Sequence, residues 1–147
     1  MNVLRVAVAI VLVSTPLYAQ PETHPLRYMR VHNGGELQFD ITRTQIEKVP
    51  AWTPQDGTAP PLQIDAAVDL GLASVRARHP DFSTFELDLI EISRIHTPHP
   101  LPNRWAYFVR FTPVVDGNRV MGGTYVAAVL MDGTILEPVT IPQAKPR

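Results

Sequence analysis

From Glu36 onward, apolar and polar positions alternate along the chain. Leu37, Phe39 and Ile41 fall on one side, and Gln38, Asp40 and Thr42 on the other. A period of two is the mark of a half-buried strand. Thr44, Ile46 and Val49 suit the same conformation, so the strand is expected to continue to about Val49. Pro50 to Pro61 is a proline-rich connection with Trp52 as its one large apolar residue, expected to tuck over an edge of the core.

The period then changes. Ile64, Val68, Leu72 and Val75 follow the spacing of one helical face, which predicts a helix over Ile64–His79. Ala67 and Gly71 flank that stripe with small residues that allow close packing on a sheet. Asp65 and Asp69 lie in the early turns, and Arg76 and Arg78 in the last. That order complements the helix dipole at both ends, at about 0.3–1 kcal/mol per charge. Pro80 stops the helix.

Strand patterns return after it. Phe85–Ile95 carries Phe85, Leu87 and Leu89, then Ile90 and Ile92. The change of parity predicts a bulge, or apolar cover on both faces. Arg104–Val115 alternates with Trp105, Tyr107, Val109 and Phe111 on one side. Asp116-Gly117 is a hairpin signal. Arg119–Met131 reads as a long apolar strand, with Gly122-Gly123 marking a bend. Asp132-Gly133 turns into a short last strand over Thr134–Glu137.

The pattern therefore predicts an α+β fold: one helix packed on a four- to five-stranded antiparallel sheet, in the order β-α-β-β-β. The single amphipathic helix has only that sheet on which to bury its stripe. A single domain over residues 36–138 is expected, preceded by a flexible leader over 20–35 and followed by a flexible tail over 139–147.

Residues 1–19 read as a cleavable signal peptide. Arg5 supplies a positive start, Val6–Val13 an apolar run, and Ala19 the small residue before a cut. The run is far below the roughly 18–20 residues that span a bilayer. The chain has no cysteine, so it can carry no lipid anchor on one and no disulfide staple. The expectation is an exported protein, in the bacterial periplasm, with no membrane anchor after cleavage. The formal net charge of −1 gives no electrostatic case for nucleic acid or anionic lipid.

Candidate chemistry is sparse. His96 and His99 lie three apart in a proline-stiffened loop and are the candidate metal pair. A zinc or copper site needs three or four ligands, so His24, His32 or His79 would have to converge on them from a distance. Glu86, Asp88 and Glu91 could act as paired carboxylates. They alternate with Phe85, Leu87 and Leu89, which makes them the solvated face of an ordinary strand. Ser74, Ser83 and Ser93 have no nucleophile-elbow context, and neither glycine pair has the surroundings of a phosphate loop. No catalytic residue and no cofactor is assigned. Trp105, Tyr107, Phe111 and Tyr125 either pack on the helix or line a ligand or partner surface on the sheet.

Three stretches carry a family resemblance. They are Leu62-Gln63-Ile64-Asp65-Ala66-Ala67 with its helix ending in His79-Pro80, the aromatic strand Arg104–Val109, and the strand-turn-strand ending Val129–Glu137. Together they resemble the small exported domains of the cystatin-like and PepSY type, over about residues 61–137. The resemblance implies a non-enzymatic module, inhibitory or interaction-related in exported proteins, and the expected partner is an exported or envelope protein. The loop over 96–103 has no Gln-x-Val-x-Gly motif, so the resemblance does not carry protease inhibition with it. The expected function is interaction through a sheet face, an edge strand or the 96–103 loop. The alternative is a ligand-binding or enzymatic domain with a pocket between helix and sheet. A solid apolar filling at that interface favours the first, and an open polar cluster beside Trp105 and Tyr107 favours the second.

Overall fold

The computed structural model describes residues 26–32, 35–96, 101–120 and 125–140. Its centre is a helix on an antiparallel sheet, as the alternation predicts. The helix α2 spans Ile64–Arg78. The sheet has the order β3-β4-β6-β7, with β5 paired to β4. These strands are β3 (Thr84–Arg94), β4 (Trp105–Val115), β5 (Asn118–Arg119), β6 (Tyr125–Leu130) and β7 (Ile135–Leu136).

Both Asp-Gly turns form. Asp116 and Gly117 take φ of 49° and 76°, and Val115 pairs with Asn118 across them. Two left-handed residues in a two-residue loop match the right-handed twist of the flanking strands. At the second turn, Gly133 (φ 87°) donates its N–H to the Leu130 carbonyl at 2.8 Å, and Asp132 Oδ1 accepts from Thr134 N at 2.9 Å.

The helix meets the sheet on its small residues. Ala67, Gly71, Ser74 and Val75 are buried, whereas Ile64 is 46% exposed. The expected stripe of Ile64, Val68, Leu72 and Val75 is thus rotated. Val68, Leu72 and Leu70 are partly buried shoulders, and Gly71 is the point of closest approach. A Cβ placed on Gly71 would stand 3.3 Å from Ala127 Cβ and 3.5 Å from both Val109 Cβ and Phe111 Cε2. A larger side chain there would lift the helix off the sheet.

The expected strand over Glu36–Val49 ends early. Residues Gly35–Ile41 form β2, and Arg43–Lys48 form a short helix, α1. The break is a capping box. Thr42 Oγ1 accepts from Gln45 N at 3.2 Å, and Gln45 Oε1 accepts from Thr42 N at 2.8 Å. This satisfies first-turn N–H groups that a strand would have left to a ladder. Arg43 and Glu47 form an i,i+4 ion pair at 2.8 Å, and Ile46 plugs the core. The strand-forming residues at 44, 46 and 49 are overridden by this local cap and by the burial of Ile46 and Val49.

Two segments expected to be loose are strands. Leu26–His32, within the expected leader, forms β1 and pairs with β2 from Leu26↔Ile41 to His32↔Gly35. Pro138–Thr140, where the expected tail begins, forms β8 on the other side of β2. The result is a second, three-stranded sheet, β1-β2-β8. It approaches the main sheet on the face opposite α2, where Phe39 meets Phe108 edge-on at 5.8 Å between ring centroids. That second cover explains why Ala106–Val109 and Val126–Leu130 are buried without alternation. The long strand expected over Arg119–Met131 is β5 and β6, separated by residues outside the description.

Candidate functional site

The strand β4 begins in a clamp made with the proline-rich connection that precedes α2. Trp52 N donates to the Asn103 carbonyl at 3.0 Å, and Asn103 Nδ2 donates to Thr53 Oγ1 at 3.0 Å. Asn103 sits at φ 60°, a left-handed conformation that asparagine tolerates better than most residues. Trp105 Nε1 donates to the Trp52 carbonyl at 2.8 Å, and the two indoles meet edge-on at 5.8 Å. Trp52 Nε1 donates to the Thr58 carbonyl at 3.0 Å. Trp52 thus tucks onto the core edge as its sequence context predicts.

Tyr107 lies next in this clamp. It is fully buried, and its hydroxyl donates to the Leu62 carbonyl at 2.7 Å, one residue before the N-cap of α2. Burial pushes the phenol above its ordinary value of 10. Tyr125 stands at the other end of the helix. It meets His79 at 4.7 Å, and Phe82 and Phe85 at 5.6 Å each, all edge to face. Burial holds the His79 imidazole below its ordinary 6.5; Arg78 adds to that and Asp81 opposes it. Arg78 closes the helix end by donating to the Val126 carbonyl at 2.8 Å, and its Nε lies 3.6 Å from Glu137.

Each of the three aromatic candidates has partners within the fold, with Tyr107 buried and Trp105 and Tyr125 half-buried. Trp105 and Tyr107 hold the connection before α2, and Tyr125 packs the end of that helix. Phe111 lies under Gly71. Around Gly71 the helix and sheet are in close contact, with Ala127, Val109 and Phe111 within 3.3–3.5 Å of the position of a Cβ, and the Tyr107 hydroxyl is taken up by the Leu62 carbonyl.

The other candidates separate. His96 is exposed, His79 sits in the aromatic cluster, and His99 and His24 lie outside the described residues, as does the side chain of His32. Among the described residues, no three His, Cys, Asp or Glu side chains are grouped to hold a metal. Ser74 is buried on the helix face toward the sheet, and Ser83 is exposed. Glu86 and Asp88 are tied into an ion-pair network. Asp88 meets Arg110 Nε at 2.6 Å and Arg119 at 3.0 Å, Glu86 lies 3.5 Å from Arg119 Nε, and Arg119 also donates to Thr112 Oγ1 at 3.1 Å.

What the sequence left undescribed is the outer edge of the main sheet. Among the described residues, β3 pairs only with β4. Its register slips between Leu87 and Leu89, leaving Asp88 as a bulge. The bulge was legible as the parity change, displaced by about a residue. Beyond it, Ile90, Ile92 and Arg94 pair with Val109, Tyr107 and Trp105 and share the helix-side face. Leu89, Glu91 and Ser93 pair with Arg110, Phe108 and Ala106 and share the opposite face. The helix packs over β4, β6 and β7 and leaves the edge strand largely uncovered. Leu87 and Ile92 on the helix side are 48% and 36% exposed, and Leu89 on the opposite face is 42% exposed. Among the described residues no helix is long and apolar enough to cross a membrane.

No protein-family model, no curated protein and no solved structure significantly matches this chain.

Proposed function

We propose that this chain is an exported, non-catalytic interaction module that engages an envelope protein through the edge strand β3. The observation that carries the reading is the edge itself. An eleven-residue strand with three large exposed apolar side chains has an unpaired outer side among the described residues. Such an edge is a template for another chain, and monomeric proteins usually shorten it, charge it or cover it. The close approach of helix and sheet at Gly71 also weighs against a ligand pocket at that point. The kinship to cystatin-like and PepSY-like domains belongs to the same proposal. It rests on residues 61–137 and on the helix-on-sheet arrangement. Export rests on the signal pattern of residues 1–19, with the cut after Ala19.

The reading is tested by placing a photo-crosslinking amino acid at Leu89 or Ile92, and separately at exposed Ala73 on α2, in the full chain expressed in a bacterial host. Adducts with one envelope protein from β3 but not from α2 are the expected outcome. Equal adducts from both positions would refute the edge. Mass spectrometry of the same protein checks for a new N-terminus at Gln20, and an intact Met1 in the soluble fraction would refute export.

A further inference from the structure

We propose that Asp116-Gly117, the turn between β4 and β5, is a self-modifying site: it closes to a succinimide and reopens to isoaspartate, and the lengthened turn releases Arg119 from β3. The chain holds three Asp-Gly pairs, at 56–57, 116–117 and 132–133. As dipeptides they have the same chemistry. The fold holds each of them differently.

In the reaction the Gly117 backbone nitrogen attacks the carboxyl carbon of the Asp116 side chain. The N–Cγ bond forms, the nitrogen gives up its proton, and the carboxyl group loses water. A second water then opens the ring. Attack at Cγ restores aspartate. Attack at the main-chain carbonyl carbon breaks its bond to nitrogen, and the chain then runs through the side chain as isoaspartate. One water is lost and one regained, so the net change is an isomerisation with no other reactant. Glycine favours closure because it has no Cβ to crowd the approach.

At Asp132-Gly133 the fold holds both reacting groups. Gly133 N donates to the Leu130 carbonyl at 2.8 Å, and the Asp132 carboxylate accepts from Thr134 N at 2.9 Å and from Thr134 Oγ1 at 3.0 Å. At Asp56-Gly57 the nitrogen is held, by the Pro54 carbonyl at 3.3 Å. At Asp116-Gly117 both residues are exposed, and among the described residues neither the Gly117 N–H nor the Asp116 carboxylate has a hydrogen-bond partner. Ring closure also requires rotation about the Asp116 Cα–C bond, out of the turn geometry. That opening is easy, because Asp116 sits at φ 49°, a region less favourable to aspartate than to glycine, and β5 beyond it is two residues long. Isoaspartate adds a methylene to the main chain of a two-residue loop, whose strand register depends on a tight turn. The pairing of Val115 with Asn118 and of Val114 with Arg119 is then lost. Arg119 reaches Asp88 at 3.0 Å and Glu86 at 3.5 Å, so the change at the turn is passed to the bulged part of β3.

The test ages the full chain in warm, mildly acidic buffer, where more of the carboxyl group is protonated and open to attack. The chain is then digested and read by electron-transfer fragmentation, whose backbone ions separate isoaspartate from aspartate. The same chain aged in urea is the reference. The expected result in the folded chain is isoaspartate at 116 on the order of tenfold above that at 56 or 132, with similar levels at all three in urea. Arg119→Gln, which loosens β5, is expected to raise the rate at 116 and leave 56 and 132 unchanged. In the isomerised fraction, isolated by chromatography, the Val120 amide, held at 2.8 Å by the Pro113 carbonyl, is expected to exchange faster. Equal isoaspartate at the three pairs of the folded chain overturns the site. So does none at 116 under conditions where the urea-unfolded chain forms it. Unchanged exchange at Val120 in the isomerised fraction overturns the release of Arg119.

Discussion

Replacing Gly71 with valine should unfold this protein more readily, and the size of the loss reports whether any space exists between helix and sheet. The backbone of α2 rests at Gly71 on Ala127, Val109 and Phe111, with 3.3–3.5 Å to the position a Cβ would take. Ala127 and Val109 meet it with Cβ atoms, which are attached to backbone and yield little. Valine restores some helix propensity, about 0.4 kcal/mol over glycine. Against this, its two methyl groups enter occupied volume, and overpacking of a filled core costs about 1–3 kcal/mol, occasionally more. A net loss of about 2 kcal/mol follows, a fall in Tm on the order of 6–10 °C for a domain of this size. Gly71→Ala separates the two terms. A gain of about 1 kcal/mol in propensity is set against a single 3.3 Å contact, so a change within about 1 kcal/mol is expected. Urea unfolding followed by the fluorescence of Trp52 and Trp105 measures both variants. A Gly71→Val protein within about 0.5 kcal/mol of wild type would refute close packing at this point, because a ligand-sized space would absorb two methyl groups.

Three further outcomes follow from the same contacts. Tyr107→Phe removes the 2.7 Å donor to Leu62 and leaves that carbonyl without its partner, so a loss of about 1–2 kcal/mol is expected in urea unfolding. His79 has a folded-state pKa below the unfolded value near 6.5, so the unfolded chain takes up the proton first. The stability it contributes is present above that pH and is lost as pH falls through the folded pKa, and His79→Gln should flatten thermal stability across that range. Asp88→Asn breaks the pairs to Arg110 and Arg119. Because these groups are partly exposed, a loss of only about 0.5–1 kcal/mol is expected, and it should shrink in 1 M salt in thermal melts.

Local chemistry made much of the fold legible. The helix over residues 64–78, its stop before Pro80, both Asp-Gly turns and the bulged β3 follow from spacing and turn residues alone. So did the packing of Trp52, whose apolar ring has few other places to go from a proline-rich connection. The capping box at Thr42 and Gln45 was also written in the chain, but three strand-forming residues after it pointed the other way.

Tertiary structure decided the rest, because it depends on which surfaces meet. Nothing local says that residues 26–32 and 138–140, distant in the chain, will flank the same strand. Their pairing with β2 gives polar-looking termini a ladder and gives β4 and β6 cover on a second face. Nor does helical spacing alone set the rotation of α2. The closest packing comes when Gly71 faces the sheet, and that displaces Ile64 into solvent. The aromatic residues, visible as candidates in the chain, turn out to bridge separate elements: Trp105 and Tyr107 to the connection before α2, Tyr125 to its far end. The exposed face of β3 arises from placement. Its sequence alternates apolar and charged residues as a half-buried strand does, and Leu87 and Ile92 reach the surface on the helix side because the helix packs over its neighbours.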